Sequence, residues 1–153
     1  MTPPPDTSKT TDTVALADRL RPALLRLGRE LRREARAVGI SPGQVTLLVA
    51  IKYAPGIGVN ELAEGERMSP PGMSGHVDKL VKAGWVTKTP NESDRRRIGL
   101  TLTEDGKRIL RNVRSRRTVW LSRRLGRLSP KELAALDAAI EPLTLLLDEE
   151  ERP

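Results

Sequence analysis

Arg95, Arg96 and Arg97 follow directly on Pro90-Asn91-Glu92-Ser93-Asp94, a run whose composition reads as a turn. Guanidinium groups stay charged and are not buried without partners, so three in a row at a turn project into solvent. The chemistry open to them is anion recognition, of phosphates or of a narrow minor groove. Asp94 is suited to bracing them, by pairing with Arg96 or by accepting from N–H groups of the turn. A second set comprises Ser69, Pro71, Gly72, Met73, Ser74, His76 and Lys79. Small residues lie near its start and a lysine at its end, with Lys82 one turn on. That suits a surface that approaches base edges with little bulk and meets phosphates with cations. His76 is either a boundary residue or a contact to a base or phosphate; as a contact, its ionisation would make binding pH-sensitive.

The elements that must carry these residues follow from spacing. Ser69 can cap a helix, and Pro70 fits its first position, where a missing N–H costs nothing. Met73, Val77, Leu80 and Val81 recur at helical spacing and share a buried face; Pro71, Gly72, Gly75, Lys79 and Lys82 fall opposite. Ala83-Gly84 ends the helix. Trp85 to Thr89 and Ile98 to Leu102 alternate, which predicts two antiparallel strands joined by the arginine turn. Helix, strand, turn and strand in this order are the plan of a winged helix-turn-helix.

At this point the chain resembles the MarR family of bacterial transcriptional regulators. Asp94, Arg96, Leu102, Thr103 and Gly106 match its D-x-R…L-T-x-x-G wing pattern, and Ser74, Val77, Leu80 and Gly84, followed by Trp85-Val86, match its recognition helix. The resemblance spans roughly residues 13 to 149. It implies a homodimer that binds palindromic double-stranded DNA, usually as a repressor and often released by a small ligand. There are departures. Gly75 stands where many members carry arginine, Gly72 is a second helix-weakening residue on the same face, and Arg97 stands where a small residue is common.

The rest of the chain supplies supports. Residues 1–12 and 150–153 read as tails, and 13–149 as a single subunit. Within it, 41–106 form the DNA-binding lobe and 13–38 with 107–149 the dimerisation helices. Leu16, Leu20, Leu24, Leu27 and Leu31 form a narrow leucine stripe, which Pro22 should kink or divide. Ser41-Pro42-Gly43-Gln44 and Ser129-Pro130-Lys131-Glu132 are capping boxes. Ile57 is placed to add a one-residue third strand. Leu16, Leu20 and Leu24 with Leu133, Leu136, Ile140, Leu143 and Leu147 are the expected dimer interface, and Pro142 should bend the last helix. The arginines of the long helix read mostly as a solvated face. Arg117 differs, because it lies on the apolar stripe between Val113 and Leu121 and needs a partner. An ion pair within the dimer would supply one; so would a small acidic or aromatic effector in a cleft shared with Trp120.

Composition narrows the classes. The chain has 153 residues and a net charge of +7, with a pI of about 10.4, which suits a polyanionic partner. There is no Cys and a single His, so disulfides, thiol switches and zinc sites are not expected. No nucleophile–base pair, phosphate loop or HExxH motif is present, so neither catalysis nor a cofactor is expected. No apolar run approaches a membrane span and no signal-peptide core opens the chain, which points to the cytoplasm. The expected fold is mainly α with a small antiparallel β wing. Two other readings stay open: an architectural DNA-binding protein without a ligand, and a dimeric interaction protein whose winged helix contacts RNA or protein.

Overall fold

Serine–proline pairs start three of the helices. In the computed structural model, which describes residues 12–91 and 93–148, the chain runs α1 (Thr13–Arg36), α2 (Pro42–Tyr53), α3 (Val59–Gly65), α4 (Pro70–Lys82), β1 (Val86–Pro90), β2 (Ile98–Leu102), α5 (Glu104–Leu125) and α6 (Pro130–Leu145). The N-terminal tail before Asp12, Glu92 of the turn and the acidic run from Glu149 lie outside the described residues. Ser41 Oγ accepts from the Gln44 N–H at 3.1 Å, and the Gln44 side chain accepts from the Ser41 N–H at 3.0 Å. Ser129 and Glu132 repeat this reciprocal cap at α6. The Ser129 backbone and hydroxyl donors hold the Glu132 carboxyl below its ordinary pKa. Ser69 Oγ accepts from the Gly72 N–H at 3.2 Å and starts α4.

The core is aliphatic. Leu48 and Ile51 of α2, Leu62 of α3, Met73, Val77 and Leu80 of α4, Val86 and Leu100 of the hairpin and Val113 of α5 are buried together. β1 and β2 pair antiparallel, with Val86 opposite Leu102 and Lys88 opposite Leu100. Ile57 bridges to Leu100 as a third, one-residue strand. The backbones meet closely there: a Cβ on Gly99 would lie 2.7 Å from the Gly56 carbonyl oxygen.

Thr103 joins hairpin to helix. It caps α5 by accepting from the Gly106 N–H at 3.0 Å, and its hydroxyl donates to the Gly84 carbonyl at 2.6 Å. The first turn of α5 is thereby pressed onto Trp85, and a Cβ on Gly106 would overlap the Trp85 carbonyl oxygen. Gly106→Ala is therefore expected to destabilise the lobe by about 1–3 kcal/mol, the usual range for overpacking. Urea unfolding followed by far-UV circular dichroism checks it; an unchanged midpoint would mean that α5 shifts freely.

α1 is one helix through Pro22, so its first turns are not a separate piece. Pro22 is exposed, and the carbonyl it leaves unpaired is one that solvent can reach. The C-terminal part of α1 packs on α5 through buried Ala35, an Arg116–Glu34 ion pair of 3.2 Å and an Arg117 Nε–H donated to the Leu31 carbonyl at 3.0 Å. The rest is uncovered. Leu16 and Leu24 are exposed and Leu20 is half-buried. No residue of α6 is buried: Leu133, Leu136 and Ile140 are exposed, Ile140 by 61%, and Leu143 is half-buried; Leu147, just beyond the helix, is exposed as well. Val14, Leu25, Leu145 and Leu146 extend this apolar surface beyond the residues that the leucine repeat marks. No helix among the described residues is long and apolar enough to cross a membrane.

Candidate nucleic-acid interface

α4 turns its buried side, Met73, Val77 and Leu80, to the core and leaves Pro71, Gly72, Gly75, His76, Asp78, Lys79 and Lys82 exposed. Ser69 is exposed at the cap and Ser74 is half-buried. Met73 has to be struck from the contact residues. It is fully buried, because it sits one turn before Val77 on the inner face, and no base can reach it without unfolding α4.

Asp78 went unnoticed in the sequence. It is the one carboxylate in α4 and it accepts from Lys88 Nζ of β1 at 2.9 Å. Gly75 also has a defined setting: a Cβ there would meet nothing within 4 Å. Gly75→Ala should thus stabilise the protein by about 1 kcal/mol, the helix-propensity difference, and raise the thermal midpoint. A lower midpoint would show that the open space is required by the fold.

The wing turn is held by its own polar groups. The Asn91 N–H donates to the Arg97 carbonyl at 2.7 Å, and the Asn91 side chain accepts from the Ser93 N–H at 2.9 Å. Asp94 accepts from the Arg96 N–H at 3.0 Å. Its ion-pair partner is Arg97, at 3.9 Å, rather than Arg96. Arg95, Arg96 and Arg97 are all exposed. Among the described residues neither Arg95 nor Arg96 pairs with a carboxylate, so their charge is available to an outside anion. The turn fixes the backbone while the guanidiniums extend from it.

A cavity of about 670 Å³ lies between α2 and α5, lined by Lys52, Lys107, Arg111, Arg114 and Arg117, with an apolar floor that includes Val45, Val49, Leu110 and Val113. Lys107 pairs with Glu104 at 3.0 Å, and this hydrogen bond and charge hold the Glu104 carboxyl below its ordinary pKa. Arg111 and Arg114 are exposed, as a solvated face requires, and also line this cavity. Trp120 does not. It lines a separate cavity of about 520 Å³ beside Ala23 and Leu27, with the Arg124 guanidinium 3.7 Å over its ring. Within one subunit, therefore, Arg117 and Trp120 line different cavities. Trp120 lies nearly a turn beyond Arg117, where its ring turns toward α1. No cluster of side chains that could hold a metal occurs among the described residues.

These features agree with what the chain is similar to. Residues 40–98 match the MarR family. The HTH-type transcriptional regulator MT0903.1 of Mycobacterium tuberculosis is 30% identical over 134 residues, covering 88% of this chain and 94% of the relative. The HTH-type transcriptional repressor MdtR of Bacillus subtilis is 28% identical over 68% of this chain and 67% of its own length. A crystal structure of a transcriptional regulator protein from Pseudomonas aeruginosa PA01 superposes with a TM-score of 0.79 at 32% identity, covering 92% of this chain and 99% of that one. A helix-turn-helix with an arginine-tipped hairpin, matched along nearly its whole length by such relatives, places this chain in the MarR family of transcriptional regulators with a DNA-binding winged helix fold.

Proposed function

We propose that the protein works as a cytoplasmic homodimer that represses transcription from a palindromic operator and is released by a small acidic or aromatic effector. Each α4 enters one of two successive major grooves, with Ser69, Pro71, Gly72, Ser74, His76 and Lys79 toward the DNA, and the wing arginines hold the flanking phosphates or the minor groove. The observation that carries this reading is the exposed Arg95–Arg97 tip, with Arg95 and Arg96 unpaired among the described residues, on a hairpin continuous with α4. The uncovered leucines of α1 and α6 support pairing of two subunits. The name of MdtR supports repression.

Selecting bound fragments from genomic DNA and footprinting them tests the reading. Two protected half-sites should appear with centres about one helical turn, or 34 Å, apart. Stronger competition by RNA than by duplex DNA would overturn it.

The basic, apolar-floored cavity between α2 and α5 is the effector site of this proposal. Titration with a panel of aromatic carboxylates should find acids that weaken operator binding. Arg117→Ala should reduce the affinity for them about tenfold or more, the worth of one charge-assisted hydrogen bond. Equal affinity in wild type and variant would discard Arg117 as a contact. If no acid shifted operator affinity at all, a ligand-independent architectural role would be favoured.

A further inference from the structure

We propose that Asp78 and Lys88 form a clasp that sets the tilt of the hairpin against α4, so that helix and wing arginines engage the duplex together. The proposal rests on the DNA-binding reading above. Asp78 is the only acid in α4 and it is exposed on the outer face, near Gly75 and Lys82 by helical spacing. An unpaired carboxylate there would oppose a polyanion. Lys88 Nζ meets it at 2.9 Å. Lys88 stands opposite buried Leu100 in the register, so it leaves the core side of the hairpin and reaches across to α4. Among the described residues it is the one ion pair between α4 and the hairpin.

The backbone connection alone leaves the tilt open. It passes through Gly84 at φ +79, and Thr103 pins the base of the hairpin to Gly84 and Trp85. Leu100 is also hydrogen-bonded to Gly56 and Ile57, but neither of these ties reaches the outer face of α4, and the Asp78–Lys88 pair does. Exposed ion pairs add little to folding stability, so the effect of this one is on the geometry of the free lobe. Asp78 is accordingly a positioning residue.

The sign of one substitution decides. Asp78→Asn removes a negative charge from the DNA-facing side. If Asp78 were only a charge, binding would tighten. As half of a clasp, its loss should weaken operator binding about three- to tenfold, the effect of a weak pair counted in both subunits. The salt dependence should also become shallower although no cation has been removed, because the wing arginines lose register with the phosphates. The thermal midpoint should hold. The exchanged pair Asp78→Lys with Lys88→Asp, which conserves net charge, should bind more tightly than Lys88→Asp alone and within about threefold of wild type. Tighter or unchanged binding by Asp78→Asn, or an exchanged pair no better than Lys88→Asp alone, would overturn the clasp. Arg96→Ala run alongside separates the two failures: if that variant binds normally, the wing reading itself is wrong.

Discussion

Arg96→Ala binds an operator duplex at least about a hundredfold more weakly than wild type, on sequences of every kind, and with a shallower salt dependence. The reasoning starts at the turn. The Arg96 N–H is engaged by Asp94, so the backbone at this position is fixed whatever the side chain. The guanidinium is exposed and has no carboxylate partner among the described residues. Truncation then removes an anion contact and little else. A charge-assisted hydrogen bond contributes about 1.5–3 kcal/mol, and a two-fold assembly loses it twice. Each phosphate released from a cation lowers the slope of log affinity against log salt by about 0.9, so the expected change is roughly two. Operator and unrelated duplexes should weaken alike, since phosphates carry no base information. Titrations at three or more salt concentrations check both quantities. Arg97→Ala should act more weakly, because Arg97 already faces Asp94 at 3.9 Å. An Arg96→Ala variant with wild-type affinity and slope would remove the wing from the interface.

Much of this arrangement was legible in the residues, and the parts that were not share a cause. Local chemistry is written locally: the Ser41, Ser69 and Ser129 caps, the alternation of both strands and the inner face of α4 follow from neighbours within a turn or two. The MarR resemblance carried the fold and the helix-turn-helix identity of the lobe. Contacts between distant residues were harder. Thr103 was read as part of the wing pattern, and nothing near it in the chain shows that its hydroxyl also reaches Gly84. Nothing near Asp78 in the chain marks it, since Lys88 lies beyond the helix end and a strand start. Arg117 was marked as an unpaired cation on an apolar stripe, but its donation to Leu31 depends on α1 lying against α5. Met73 is a different failure. Its spacing already placed it with Val77 and Leu80, and a groove contact was inconsistent with that face.

The second large effect concerns α6. Its apolar residues follow a three-four repeat, yet none is buried within the subunit, and Ile140 is 61% exposed. Burying a side chain of this size contributes about 1.5–3 kcal/mol, and a two-fold interface buries it twice. Glutamate at this position would also bring a charge into apolar surroundings. Ile140→Glu should therefore raise the dimer dissociation constant by roughly a thousandfold or more and leave a monomer at micromolar concentration. Because Ile140 lies outside the buried core, the lobe should stay folded, and an unchanged far-UV circular dichroism spectrum would show it. The monomer offers one helix and one wing to a half-site, so affinity for the full palindrome should collapse toward that for a half-site. Sedimentation and operator titration on the same sample join the two results. If Ile140→Glu sediments as a dimer and binds the palindrome as wild type does, the two subunits meet elsewhere, and the uncovered leucines of α6 need another partner.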